Sequence, residues 1–281
     1  MKKKGLLLIF IGIHFSTLAQ NGYLLSGARA SALGTASVAL NDEWGVIHNQ
    51  AGLGFVRQTT TGFYYENRFQ VKELGLRSAL CVVPLKHATL GTSFTNFGFQ
   101  AYKENKFNLA FAKALSNTFS MGIAIDYLHT SIAEYTTRFT TLVGEIGIQK
   151  KLTTKIILGA HVYNPTRSRI GKNTSDRIPT IMRFGGCYQI SPTLIILAET
   201  EKDLKQKPVF KAGMEYQPHH CFVLRTGLHT NPLVTSFGFG FQHQQLKLDF
   251  SGNYHQTLGY TTQIGFIYSF SKKEESGRKD L

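Results

Sequence analysis

The sequence predicts an all-β fold, a closed antiparallel transmembrane β-barrel of about 14 strands with a short N-terminal plug or hatch segment. Three observations carry that prediction. From Thr59 onward apolar residues recur at every second position, as in Phe119, Met121, Ile123, Ile125 and Tyr127, or Phe237, Phe239 and Phe241. Period two means strands, because successive side chains leave opposite faces of a pleated chain. Tight-turn sequences follow every second strand, while most intervening connections read as longer. And charges are few, sitting with the small and polar residues on one face of the strands.

Composition agrees. The chain has 281 residues, of which 42% are hydrophobic and only 17% charged, against roughly 25% charged in an average soluble domain. Gly (27), Phe (21) and Tyr (12) are abundant, which leans toward strands and away from helical bundles. The formal net charge is +14, yet no Lys/Arg run interrupts the body of the chain, so no nucleic-acid partner is expected. Cys81, Cys187 and Cys221 form neither a CxxC pair nor an even disulfide set.

Taken in order, residues 1–20 read as a secretory signal peptide. Lys2 to Lys4 are a basic start, Gly5 to Ile13 an apolar stretch, and Thr17-Leu18-Ala19 a cleavage site. The apolar stretch is too short to span a bilayer as a helix, and no later segment is long enough. A membrane location therefore requires a closed barrel.

Residues 21–57 do not alternate. Ser26 to Gly34 is rich in small residues and suits a short helix, Asn41-Asp42-Glu43-Trp44 an N-cap with acidic residues in a first turn, and Asn49 to Gly54 a loop. Apolar Trp44, Val46, Ile47, Leu53 and Phe55 argue for burial, and a barrel this wide has interior space. The segment is expected as a plug in the periplasmic mouth.

Residues 58–271 hold the barrel, with strands expected at 58–68, 72–84, 87–98, 103–115, 118–131, 137–151, 155–164, 179–190, 193–202, 207–217, 220–230, 234–243, 245–255 and 259–271. Turns such as Pro84 to His87, Leu115 to Thr118 and Gln217 to His220 mark one end; the longest connection, Asn164 to Ile178, marks the other. Phe270 ends the last strand on the apolar face, ahead of a polar tail at 272–281. An even strand count puts both termini on the periplasmic side of an outer membrane. Parity assigns Glu73, Arg77, Asp126, Glu145, Arg183, Lys211, Glu215, Arg225, Lys247 and Asp249 to the lumen, with all three cysteines. The mixture of signs predicts cross-strand ion pairs in place of an open positive pore. Arg at lipid-facing Ile123 or Phe239 should be far less tolerated than changes at lumen-facing Gly122 or Ser236.

The segment from Gly27 to Phe55, GARASALGTASVALNDEWGVIHNQAGLGF, resembles the N-terminal signature of FadL-like barrels, in particular the PorV/PorQ branch of Bacteroidetes. That pattern runs Gly-x-Arg-x-x-x-Met/Leu-Gly, small residues, an acidic turn, then Asn-Pro-Ala-Gly-Leu. Gly27, Arg29, Leu33, Gly34, Asp42, Asn49, Ala51, Gly52 and Leu53 match; Gln50 stands where the family usually has Pro. With Trp44 these residues form the hatch motif. The resemblance implies a Gram-negative outer-membrane barrel whose relatives serve type IX secretion or move hydrophobic molecules.

No catalytic motif such as GxSxG, HExxH or Walker A is present. Lumenal Asp126, His161, His229 and Glu145 lie on different strands and read as a salt-bridged lining. Adjacent His219-His220 read as a solvated turn. No catalytic, metal or cofactor group is therefore assigned. The expectation is a non-enzymatic component of protein secretion or surface assembly. Its partners would be membrane lipid and secretion-machinery proteins or secreted cargo. The alternative is a FadL-like transporter that takes up a hydrophobic small molecule through a hatch-plugged barrel.

Overall fold

The computed structural model describes residues 23–133, 137–170 and 176–270; the signal peptide and the polar tail lie outside them. Fourteen antiparallel strands close into a barrel. They are β1 (Thr60–Asn67), β2 (Gly75–Pro84), β3 (Thr89–Phe99), β4 (Tyr102–Ala114), β5 (Phe119–Ile132), β6 (Thr137–Lys151), β7 (Ile156–Tyr163), β8 (Ile181–Ser191), β9 (Leu194–Asp203), β10 (Val209–His219), β11 (Phe222–His229), β12 (Val234–His243), β13 (Leu246–His255) and β14 (Gly259–Ser269). Each strand pairs with its sequence neighbours, and β1 closes the ring on β14 from Thr60–Ser269 to Asn67–Thr262. Closure leaves no sheet edge unpaired, the condition for a sheet to sit in hydrocarbon. No helix among the described residues is long and apolar enough to cross a membrane.

The alternation is realised as lipid-facing and lumen-facing rows. Ile123, Ile125, Phe184, Phe210 and Phe237 point outward and are more than half exposed, while Asn108, Ser120, Asp126, Glu145 and Arg183 point inward and are buried. One end carries only tight connections, at 85–88, 115–118, 152–155, 192–193, 220–221 and 244–245. At the other end, 68–74 and 164–180 are distinctly longer, but 100–101 and 256–258 are as short as the connections opposite, at two and three residues. The difference between the two ends thus rests mainly on two connections. We call them the loop end and the short-turn end.

Strand β2 corrects the expected parity. The chain after Asn67 makes two 3-10 turns, at Arg68–Gln70 and Lys72–Leu74, before the strand begins at Gly75. Glu73 therefore lies in an exposed loop, and Arg77 points outward beside the Tyr65 ring, 5.9 Å from its centroid. Cys81 shares that outward row, paired with Thr61 and Thr92. The lumen side of β2 is Leu76, Ser78, Leu80 and Val82, three of them apolar, because they pack on the N-terminal segment instead of on water.

Candidate transport path and the segment inside it

Residues 23–55 run through the lumen from one end to the other. Tyr23 lies at the loop end, packed with Leu128, Tyr163, Ile178 and Ile181. A short helix α1 (Ala28–Ala32) crosses toward the far wall, a second, α2 (Gly45–His48), sits near the short-turn end, and a 3-10 turn (Gln50–Phe55) leads out to β1. The segment is not confined to one mouth. Phe270 lies at the short-turn end, donating its N–H to Thr59 O at 2.8 Å. Tyr23 and Phe270, the first and last described residues, thus lie at opposite mouths.

The wall is shaped to receive this backbone. A Cβ on wall residue Gly227 would lie 2.2 Å from Gly34 N, and one on Gly213 2.6 Å from Leu33 O. Gly34 itself has φ +64°, and its own Cβ would meet the Leu228 backbone at 2.5 Å. Here two backbones touch with no side chain between them, which only glycine permits. Gly122 likewise has Gln50 and Ala51 within 2.7 Å of a would-be Cβ, and Gly159 has Val38 O at 2.2 Å. The expectation that Gly122 would be a tolerant lumen position is overturned: it faces packed backbone, not water. Ser236, 3% exposed, is equally enclosed.

Polar contacts fix the segment in register. Arg29 grips Glu215 with two donors, at 2.8 and 2.7 Å, and reaches Asp42 at 3.1 Å. Glu215 also accepts from Arg225 at 2.6 Å, and Arg225 from its other arm donates to Asp249 at 2.6 Å. Lys247 meets Glu43 at 2.9 Å. Asp42 and Glu43 therefore act as ion-pair partners. They are not the first-turn acids of a helix, because α2 begins only at Gly45, after Trp44. Trp44 packs edge-on against Tyr64, centroids 5.7 Å apart. Farther along, Arg183 donates to Ser37 Oγ, His48 O and Glu199 at 2.7 to 2.9 Å, and Glu199 accepts the backbone N–H of Ser37 and Val38.

In the Asn49-Gln50-Ala51-Gly52-Leu53 stretch, side chains hold the turn against the wall. Asn49 accepts the Ala51 N–H and donates to Val38 O at 2.7 Å. Gln50 uses its amide to donate to Glu145 at 2.5 Å, tying the turn to the wall. Gly52 leaves room for Leu40 O, 2.7 Å from a would-be Cβ, and Leu53 is fully buried.

The lumen residues join into clusters. Lys106 bridges Asp126 (2.7 Å) and Glu145 (3.1 Å), and Glu145 meets His161 at 2.9 Å. Lys211 bridges Glu199 (3.1 Å) and Glu201 (2.7 Å). Of the four lumenal residues weighed for chemistry, Asp126, Glu145 and His161 come together, sealed beneath Gln50 and lining neither cavity described below. His229 lies apart, facing the loop-end cavity. Lys106 and Glu201 were missed, although the same parity on β4 and β9 points them inward. Cys81, Cys187 and Cys221 are all unpaired.

Two cavities stand out among the described residues. One of about 800 Å³ opens at the loop end, with apolar Leu25, Phe69, Val209, Val234 and Leu258 among polar Tyr23, His229, Asn253 and His255. The other, of about 240 Å³, lies toward the short-turn end and is walled by Arg29, Trp44, Glu215, Arg225, Lys247 and Asp249. Arg29 lines the smaller cavity, while Ser31 and Thr35 line the larger. The α1 region is therefore the partition between them.

No protein-family model matches the chain, and no curated protein matches it. Solved structures do. The toluene transporter TbuX of Ralstonia pickettii superposes with a TM-score of 0.68 at 11% identity, over 87% of this chain and 98% of that one. The toluene transporter TodX of Pseudomonas putida gives 0.63 at 12%, over 86% and 96%. A FadL homologue of Pseudomonas aeruginosa gives 0.57 at 12%, over 88% and 97%. At these identities the likeness is one of fold: the chain is a closed fourteen-stranded β-barrel with the fold of these hydrocarbon transporters.

Proposed function

We propose that this barrel takes up a small hydrophobic molecule across the outer membrane, with residues 23–55 as the hatch. The observation that carries the reading is the pair of cavities on either side of α1. A molecule received in the wide, half-apolar cavity at the loop end meets one thin partition before the smaller chamber at the other end. The ordinary size of a small-molecule site is about 300–1,000 Å³, and the outer cavity, about 800 Å³, falls within it. Its lining offers apolar Leu25, Phe69, Val209, Val234 and Leu258 for such a molecule, beside polar groups and the charged Glu66, Arg68, Glu201 and Lys211. The fold shared with toluene transporters supports the same reading. No step of it needs a catalytic group or a cofactor. We place the loop end outside the cell and the short-turn end in the periplasm, as in outer-membrane barrels generally.

A secretion or surface-assembly role has the N-terminal motif in its favour and little else. A protein cargo needs a broad docking surface, and the loop end is built mostly from short connections. The discriminating experiment is uptake of small aromatics and of longer-chain amphiphiles by proteoliposomes, beside a pull-down in mild detergent. Saturable uptake that is lost when the outer cavity is filled, for instance by Val234→Trp, is expected. No uptake of either class, together with specific capture of secretion proteins, would reverse the assignment.

A further inference from the structure

We propose that the β10–β11 turn is a binding site for a thiophilic d10 cation, Zn²⁺ or Cu⁺. His219, His220 and Cys221 each offer one ligand atom here, and the three atoms lie within 4.8 Å of one another. Among the described residues this is the one group of three such side chains that meets that condition. Consecutive residues in a regular strand point to opposite faces and cannot share an ion. This turn is not regular. The pairing of β10 with β11 slips between Tyr216 and His219, a bulge that re-aims side chains. As a result the two imidazoles lie side by side, ring centroids 4.0 Å apart, both in solvent.

The hydrogen bonding leaves the right lone pair in place. Cys221 donates its backbone N–H to His219 Nδ1 at 3.3 Å. The Nδ1 lone pair thus faces the Cys221 backbone, and a cation on it displaces only that long bond. Gln217 donates to His220 O at 3.2 Å and braces the backbone. Two imidazoles and a thiolate suit Zn²⁺ or Cu⁺, and are a poor set for Mg²⁺ or Ca²⁺, which take oxygen ligands. On binding, the Cys221 thiol releases its proton to solvent and the sulfur becomes a ligand. Three protein ligands leave one position to water. The site stands outside the lumen and is independent of the transport reading.

The test uses the detergent-solubilised full chain under a phosphine reductant, with Co²⁺ as the spectroscopic probe and Zn²⁺ and Cu⁺ as competitors. The expected result is one Co²⁺ per chain with a thiolate-to-cobalt charge-transfer band that Zn²⁺ or Cu⁺ abolishes. Cys221→Ser should remove the band, and His219→Ala with His220→Ala should weaken binding roughly tenfold or more. Cys81→Ser on β2 and His129→Ala on β5, both away from this turn, should change nothing. Heat-modifiability gels confirm that each variant is folded. No charge-transfer band in the folded wild type, or a band that survives Cys221→Ser, overturns the proposal.

Discussion

Arg29→Met removes the clamp between the lumenal segment and the wall without touching a strand. In the wild type, Arg29 supplies two donors to Glu215 and one to Asp42. After the change Glu215 keeps Arg225, but Asp42 loses its ion-pair partner, and its other oxygen already lacks a hydrogen bond. Breaking a fully buried pair by deleting one member costs about 3–5 kcal/mol. These side chains retain 23%, 15% and 9% exposure, so water screens part of that. About 2–3 kcal/mol against docking remains, roughly a 30- to 150-fold change in the docked-to-undocked ratio. The assay is built in: Trp44 is the single tryptophan and lies in the segment, edge-on to Tyr64. Collisional quenching of Trp44 should rise, and single-channel conductance should show more frequent open events, while the heat-modifiable barrel stays intact. Arg29→Lys, which keeps the charge but loses the fork, should fall between. If folded Arg29→Met shows unchanged quenching and conductance, Arg29 does not hold the segment and the clamp argument fails.

Deleting residues 27–54 should leave a folded barrel, because the strands pair with one another, but raise its conductance; an unchanged current means the segment does not obstruct the lumen. Ile123→Arg or Phe239→Arg should cost about 2–4 kcal/mol in urea unfolding if these lipid-facing positions lie near mid-bilayer. Gly122→Val and Gly227→Val should also harm, by forcing the inner backbone away, and the sign that they act on the segment is increased leak with the barrel still folded. Burial, aided by Arg183, lowers His48 to about 3 from 6.5. Below about pH 6.5 the released segment binds a proton that the docked one refuses. Docking therefore weakens by up to about 1.4 kcal/mol per pH unit down to about pH 3, where the effect levels off. Conductance measured from pH 7 to 4 should rise in the wild type and rise less in His48→Gln.

How much of this was legible in advance depends on the range of the physics. Alternation is local: each strand announces itself through its own side chains, so all fourteen strands and most inward rows could be read along the chain. The apolar residues at 44–55 likewise announced burial, and opposite signs on one face announced an ion-paired lining, though not which residues pair. What could not be read is whatever depends on two distant segments meeting. Apolar positions were assigned to lipid, which failed on β2, because Leu76, Leu80 and Val82 face the inner segment and no strand carries a mark for what lies across the lumen. Register, set by pairing around the ring, is what brings Lys106 of β4, Asp126 of β5 and Glu145 of β6 to one point. Wall Gly122 reads as a small, tolerant lumen residue, and nothing along the strands marks it, Gly213 or Gly227 as a contact. Only the packed structure shows them as the surfaces on which one backbone rests against another. The sequence by itself determined that this chain forms a barrel and, on most strands other than β2, which face turns inward. The tertiary structure decided that the lumen is occupied from end to end and divided at α1, since a segment without periodicity takes its conformation from the walls that enclose it.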